Sequence, residues 1–270
     1  MNKKKKVLVS LVTHSAYKDV CENFIKLFDK NWKDCKYDFR VLVIGNEISF
    51  DKKKVNYYGK ECSLPEALYL AMSTSDYDYC ISFLGDAFIN RKIDNIMVDS
   101  LINDINEKNI DYCNLMPRIA YRFHKRIAGK NMRYISSNDS YSMSFVAFIA
   151  SRRFVLKEFA DGITDLDFER KYLNRINQCN QVYNDRVILT QNLFGLVPGI
   201  YAGKWDRHAL GKLQRDNPEI FFTDREKVPR HVMVRNDFIQ MFQIIASQRQ
   251  RIILKKIISK LTGAKFATEF

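Results

Sequence analysis

The chain has 270 residues, 46% of them hydrophobic, with 19 Phe and 14 Tyr; it can bury a core the size of one large domain or one and a half, and it is too apolar to be disordered. No run approaches the roughly 18 apolar residues that span a membrane, and the six Cys lack CxxC or zinc-type spacing, which fits reduced, buried thiols in a cytosolic protein. Of the net charge of +13, +10 sits at the ends, with four Lys in residues 1–6 and ten basic against four acidic residues in 224–270; a nucleic-acid-binding protein more typically spreads its basic residues over the folded face, so no nucleic-acid partner is expected despite a pI near 9.4.

The opening lysines and Val7–Val12 resemble a secretory leader, but the apolar run is too short and no small-residue cleavage site follows. The run reads instead as a buried strand. Thr13-His14-Ser15 comes next, then a helical spacing of Val20, Phe24, Leu27 and Phe28 with Ser15 as N-cap. Phe39–Ile44 is a second strand, broken by Gly45-Asn46, and "KKKVNYY" a short third. "CSLPEALYLAM" opens a helix with Ser63 and Glu66 spaced as a capping box. Tyr79–Leu84 is a further strand, stopped by Gly85-Asp86.

This alternation predicts an α/β fold, a doubly wound, mostly parallel sheet flanked by helices. In such sheets ligands bind beyond the carboxyl ends of the strands. Thr13-His14-Ser15, Gly45-Asn46-Glu47 and Gly85-Asp86 all fall there. The second half is more mixed. "IDNIMVDSLINDI" reads as a helix, "DYCNLMP" as a strand, and strand material ends at Ala150. The helices "SRRFVLKEFADG" and "TDLDFERKYLNRINQ" follow, then the strand "YNDRVILT" and a Gly-punctuated loop, "GLVPGIYAGKWDRHALGKL", leading into a short helix.

Three constellations can carry chemistry. Asp86 is either a turn residue or a carboxylate on a site rim. Asp165, Asp167 and Glu169 crowd a helix start, where the helix dipole stabilises acids by about 0.3–1 kcal/mol each and where an ionised general base could also sit. Lys204 could neutralise a phosphate. Trp205 beside it is either a ligand contact or an anchor for its loop.

The run "VLVSLVTHSAYKDVCENFIKLFDKNW", the strand ending in an acid, the acids around Phe168 and "AGKW" together resemble the GT-A-fold, nucleotide-sugar-dependent glycosyltransferases that build bacterial capsular polysaccharide or O-antigen. The resemblance covers about residues 5–215. It implies a catalytic domain over 1–223, with the nucleotide-binding half in about 5–90 and the acceptor half in about 91–223, and a basic helical extension over 224–270. It implies an inverting transfer in which Glu169 or Asp167 takes the acceptor proton. The donor would lie against Thr13, His14, Ser15, Lys204 and Trp205, and a divalent metal, Mn²⁺ or Mg²⁺, against Asp86. The chain departs from the family where Asp-Asp is usual: it has Gly85-Asp86, and Leu166 stands where a Trp precedes the acidic pair. One carboxylate with substrate phosphates can still hold Mg²⁺. A site leaning on Lys204 or an arginine is the other option, and a nucleotide- or glycan-binding protein without turnover is the alternative function.

In "RIILKKIISKL" the residues Ile253, Leu254, Ile257, Ile258 and Leu261 fall on one helical arc and Arg251, Lys255, Lys256 and Lys260 on the other. Residues 249–265 are thus expected to meet an anionic membrane surface, which would place the protein in the cytoplasm at the inner face of the plasma membrane, near a lipid-linked oligosaccharide or glycan acceptor. The other option is a helix docked on its own domain or on a second subunit.

Overall fold

The structure, a computed structural model, describes residues 5–118, 126–136, 143–160, 162–169 and 182–234. Its first strand, β1 (Val7–His14), sends Val9 and Leu11 to one buried face and Leu8 and Val12 to the other. A strand apolar on both sides belongs inside a sheet covered twice. β1 pairs in parallel with β2 (Asp38–Ile44) and β4 (Tyr79–Leu84), and β2 pairs in parallel with β3 (Lys54–Tyr57). Between them run α1 (Lys18–Asn31), with Val20, Phe24, Leu27 and Phe28 buried as their spacing predicts, and α2 (Leu64–Ser73). The capping box forms: Glu66 N donates to Ser63 Oγ and Ser63 N to the Glu66 carboxylate, each at 3.2 Å.

The first cap differs from expectation. Residues Ser15–Tyr17 make a 3-10 turn capped by His14, whose Nδ1 accepts from Ala16 N at 3.0 Å. Ser15 Oγ is drawn away to accept from Asn46 N at 2.8 Å, tying the ends of β1 and β2 together.

The remaining main-sheet strands are β6 (Tyr112–Asn114), β7 (Ile127–Gly129), β8 (Met132–Ser136), β9 (Ala147–Ser151) and β10 (Val182–Leu189); the nine-stranded order is β3-β2-β1-β4-β9-β6-β10-β8-β7. β9 lies antiparallel between β4 and β6, and β8 lies antiparallel between β10 and β7, so the sheet is mixed with parallel strands dominant. One face packs on α1 and α3 (Asn95–Glu107), the other on α2 and α4 (Arg152–Glu158). That is the predicted doubly wound arrangement, with an antiparallel strand wedged into it.

Outside this sheet, β5 (Ala87–Ile89) continues directly from Asp86 and pairs with β11 (Leu196–Pro198). β12 (Ile200–Tyr201) and β13 (Lys204–Trp205) form a hairpin ahead of α5 (Arg207–Asp216). The chain then returns across the hairpin, where Trp205 bridges to Lys227 and Val228 and Met233 are buried. The basic helix expected over 249–265 lies outside the described residues, as do residues 170–178 of the helix expected over 164–178; residues 165–169 of it are helical. Among the described residues the five cysteines are free and no helix is long and apolar enough to cross a membrane.

Candidate active site at the carboxyl edge of the sheet

β1 and β4 run in register with Val12 opposite Leu84, so Thr13 and Gly85 emerge side by side at the carboxyl edge. The floor beneath them is tight. A Cβ on Gly85 would lie 3.0 Å from Cys21 Sγ, and the Cys21 thiol donates to Thr13 Oγ1 at 2.9 Å. Burial holds that thiol protonated, with its pKa pushed up to about 12.

Asp86 stands on this floor. Its backbone carbonyl accepts from Gly199 N at 2.9 Å, which fixes the strand β5 behind it. Its Oδ1 is buried and has no hydrogen-bond partner among the described residues. Burial pushes the carboxyl pKa up to about 6; a hydrogen bond from its own backbone amide opposes this and the charge of Asp165 adds to it. A buried carboxylate oxygen without a donor is costly unless a cation or proton meets it.

The acidic helix start separates its own members. Phe168 is buried among Phe145, Phe159 and Tyr112, which pins the turn. Asp165 and Glu169, four apart, then share one helix face, and Asp167 does not. Glu169 Oε1 accepts from Ser144 Oγ at 3.0 Å, with Phe145 N at 3.4 Å. Burial raises the Glu169 pKa; the hydrogen bonds from Ser144 and Phe145 lower it, Asp165 raises it, and Arg118 lowers it. Asp167 is exposed and serves as a cap partner: Thr164 Oγ1 donates to its Oδ2 at 2.7 Å, and its own amide donates to Thr164 Oγ1 at 3.1 Å. Asp86 and Glu169 are therefore each within electrostatic reach of Asp165, while Asp167 is exposed and committed to its cap.

Thr13, His14 and Ser15 form a rigid rim. Gly45, at φ +97°, sits so close that a Cβ there would be 2.5 Å from Ser15 Oγ and 2.9 Å from His14 Cε1. Only glycine adopts that backbone without strain and leaves room for both side chains. Tyr57 Oη donates to the Gly45 carbonyl at 2.5 Å and closes the turn.

Lys204 sits on the β12–β13 hairpin, exposed, with its ammonium on Glu226 at 2.5 Å. Trp205 takes the anchoring option: it is 1% exposed, stacks on Phe88 at 5.3 Å, and donates through Nε1 to the Thr223 carbonyl at 3.1 Å. Arg225 binds this hairpin to the start of α1. It forks onto the Asp19 carboxylate at 2.9 and 2.6 Å, donates to the Gly203 carbonyl at 2.8 Å and covers the Tyr17 ring at 5.1 Å.

Sequence reasoning singled out neither Ser144 nor Arg225. Both owe their place to contacts across 25 and 206 positions of sequence, and nothing in the flanking residues signals them. Asp165 was legible only as one acid of three, and the helix face it shares with Glu169 is what distinguishes it.

Among the described residues no group of three or more His, Cys, Asp or Glu could hold a metal ion. Asp86 alone, with its orphaned oxygen, fits the single-carboxylate mode in which substrate phosphates complete a divalent ion's coordination.

Neither a protein-family model nor a curated protein matches the sequence. Solved structures do resemble the fold. Glucosyl-3-phosphoglycerate synthase from Mycobacterium tuberculosis, crystallised with Mn²⁺, UDP-glucose and phosphoglyceric acid, is 11% identical, with 78% of this chain and 76% of that one covered and a TM-score of 0.45. TarS from S. aureus is 13% identical with a TM-score of 0.43; 82% of this chain is covered but only 41% of that one. A cytidylyltransferase from Leptospira borgpetersenii is 12% identical, with 64% and 71% covered and a TM-score of 0.39.

Proposed function

We propose that the protein is a nucleotide-sugar-dependent glycosyltransferase of inverting type. The observation that carries this reading is Asp86: a single carboxylate at the carboxyl edge of β4, with a buried, unpartnered oxygen and a pKa pushed up to about 6. Such a group is primed for a cation, and a sugar nucleotide's diphosphate is the ligand that brings negative charge to that cation.

The donor lies across the rim of Thr13, His14 and Ser15, with its diphosphate towards Asp86 and Lys204. Asp86, together with the substrate phosphates, would hold a divalent ion, Mn²⁺ or Mg²⁺, which would supply positive charge at the leaving diphosphate. Lys204, on a hairpin tied to α1 by Arg225, supplies a second positive charge once it exchanges Glu226 for phosphate. Glu169 takes the proton from the acceptor hydroxyl. The acceptor oxygen then bonds to the anomeric carbon as the bond to the diphosphate breaks, which inverts that centre. Burial favours Glu169 in this role over Asp167, whose carboxylate is committed to the Thr164 cap. Trp205 contributes by holding the hairpin, not by touching the donor.

The acceptor class is a growing, lipid-linked surface glycan such as capsule or O-antigen. What supports it is the sequence resemblance together with the basic, amphipathic run at 249–265, which suits the inner face of the plasma membrane.

The test is release of nucleotide from a panel of UDP-, GDP-, dTDP-, ADP- and CMP-sugars with short glycans as acceptors, with and without Mn²⁺. Turnover of one donor, lost in Asp86→Asn and Glu169→Gln, is the expected result. Donor binding without turnover under any condition would instead leave a binding protein on this fold.

A further inference from the structure

Ser144 is connected in a way that its modest burial does not advertise. Its Oγ donates to Glu169 Oε1 at 3.0 Å. Its backbone is clamped twice by one phenol: Tyr112 Oη donates to the Ser144 carbonyl at 2.7 Å and accepts from the Ser144 amide at 2.9 Å. Tyr112 is itself immobile, a fully buried ring on β6 stacked on Phe148 at 5.5 Å and packed against Phe154 at 5.2 Å. The chain Tyr112–Ser144–Glu169 therefore runs from the centre of one hydrophobic core to the carboxylate on the site's edge. Phe145 N, the next donor along, reaches the same oxygen.

We propose that Ser144, held in place by Tyr112, is a positioning residue for the Glu169 carboxylate, fixing Oε1 so that Oε2 is the atom that meets the acceptor hydroxyl. This rests on the reading of Glu169 as the base. A carboxylate on a short helix turn has two free side-chain torsions beyond its first and would otherwise sample several orientations. Anchoring one oxygen to a rigid donor selects one orientation, and catalysis is sensitive to misplacement on that scale.

The groups facing Glu169 are Asp165 from its own turn, Arg118 beyond β6, and the Ser144 hydroxyl and Phe145 amide ahead of β9. The Asp165 charge also acts on Asp86. The hydroxyl stabilises the ionised form of Glu169, so losing it should raise that group's pKa and leave the burial contribution unchanged.

The experiment is a ¹³C-carboxyl NMR titration of the full chain labelled at glutamate, with Glu169 assigned by the resonance that vanishes in Glu169→Gln. Ser144→Ala should move the Glu169 midpoint upward by on the order of half to one pH unit. Ser144→Thr, which keeps a hydroxyl, should restore it, and Tyr112→Phe should give a smaller upward shift. Wherever a donor is turned over, the acid limb of kcat/KM should move with the NMR midpoint in each variant. An unchanged midpoint in a folded Ser144→Ala protein overturns the positioning role. Since that titration needs no substrate, it stands apart from the base assignment, which a fully active Glu169→Gln would defeat, taking the inference with it.

Discussion

The amide of Gly199 donates to the carbonyl of Asp86 at 2.9 Å. That one bond joins the two halves of the candidate site, because Asp86 lies in the turn that follows the sheet-bound strand β4 and Gly199 opens the hairpin that carries Lys204. The glycine is required by close approach rather than by its backbone angle. A Cβ there would stand 2.3 Å from Phe88 Cε2 and 3.0 Å from Trp205 Cζ3. Gly199→Ala should therefore cost about 1–3 kcal/mol of stability, as overpacking does, read as a lower urea midpoint at unchanged slope. An unaltered midpoint would mean that the Phe88–Trp205 stack can yield.

Asp86 should act against stability while serving function. Its pKa is about 6 in the folded chain and 3.8 as an ordinary carboxyl. The folded state thus holds the proton more tightly, and stability is lost as pH rises from about 4 to 6. Asp86→Asn should be more stable than the parent protein at pH 8, by at most about 3 kcal/mol, with the gain closing towards pH 3. Denaturation at the two pH values checks this. Divalent-ion binding should show the matching trend and weaken below about pH 6, where the proton competes.

Lys204 and Trp205 are adjacent and should fail differently. Lys204→Ala removes an exposed ammonium whose partner is Glu226, so folding should be intact and nucleotide affinity reduced. Trp205→Ala empties a site that is 1% exposed between Phe88 and Phe222 and should cost about 3–5 kcal/mol. Thermal unfolding beside nucleotide titration separates the two effects. Equal stability in both variants would contradict the anchoring role.

Activity should climb with pH on its acid side. Burial raises the Glu169 pKa from its ordinary value, and only the ionised form can take a proton. The rising limb of kcat/KM should be abolished along with activity in Glu169→Gln and retained in Asp167→Asn. A variant at Asp167 that removes the limb would transfer the base role to that residue.

The periodicity of the first 85 residues made the strands and helices of that half legible, because β1, β2 and β4 are apolar on both faces and α1 carries a clean buried stripe. Strand direction was not legible in the second half. Ala147–Ser151 is buried throughout, and a short run apolar on both faces reads the same whether it lies parallel or antiparallel. The acids of "TDLDFER" could not be ranked by sequence, since which of them faces the site depends on where Phe168 packs. The Ser144 and Arg225 contacts were hidden for the same reason: they are set by tertiary approach, not by local pattern.

The most direct measurement is a calorimetric titration of UDP, GDP, dTDP, CMP and ADP into the protein and into Asp86→Asn, each with and without Mn²⁺. One nucleotide should bind tightly, with its binding strengthened by Mn²⁺ in the parent protein and insensitive to Mn²⁺ in Asp86→Asn. No binding of any nucleotide, or the same metal response in both proteins, would contradict it.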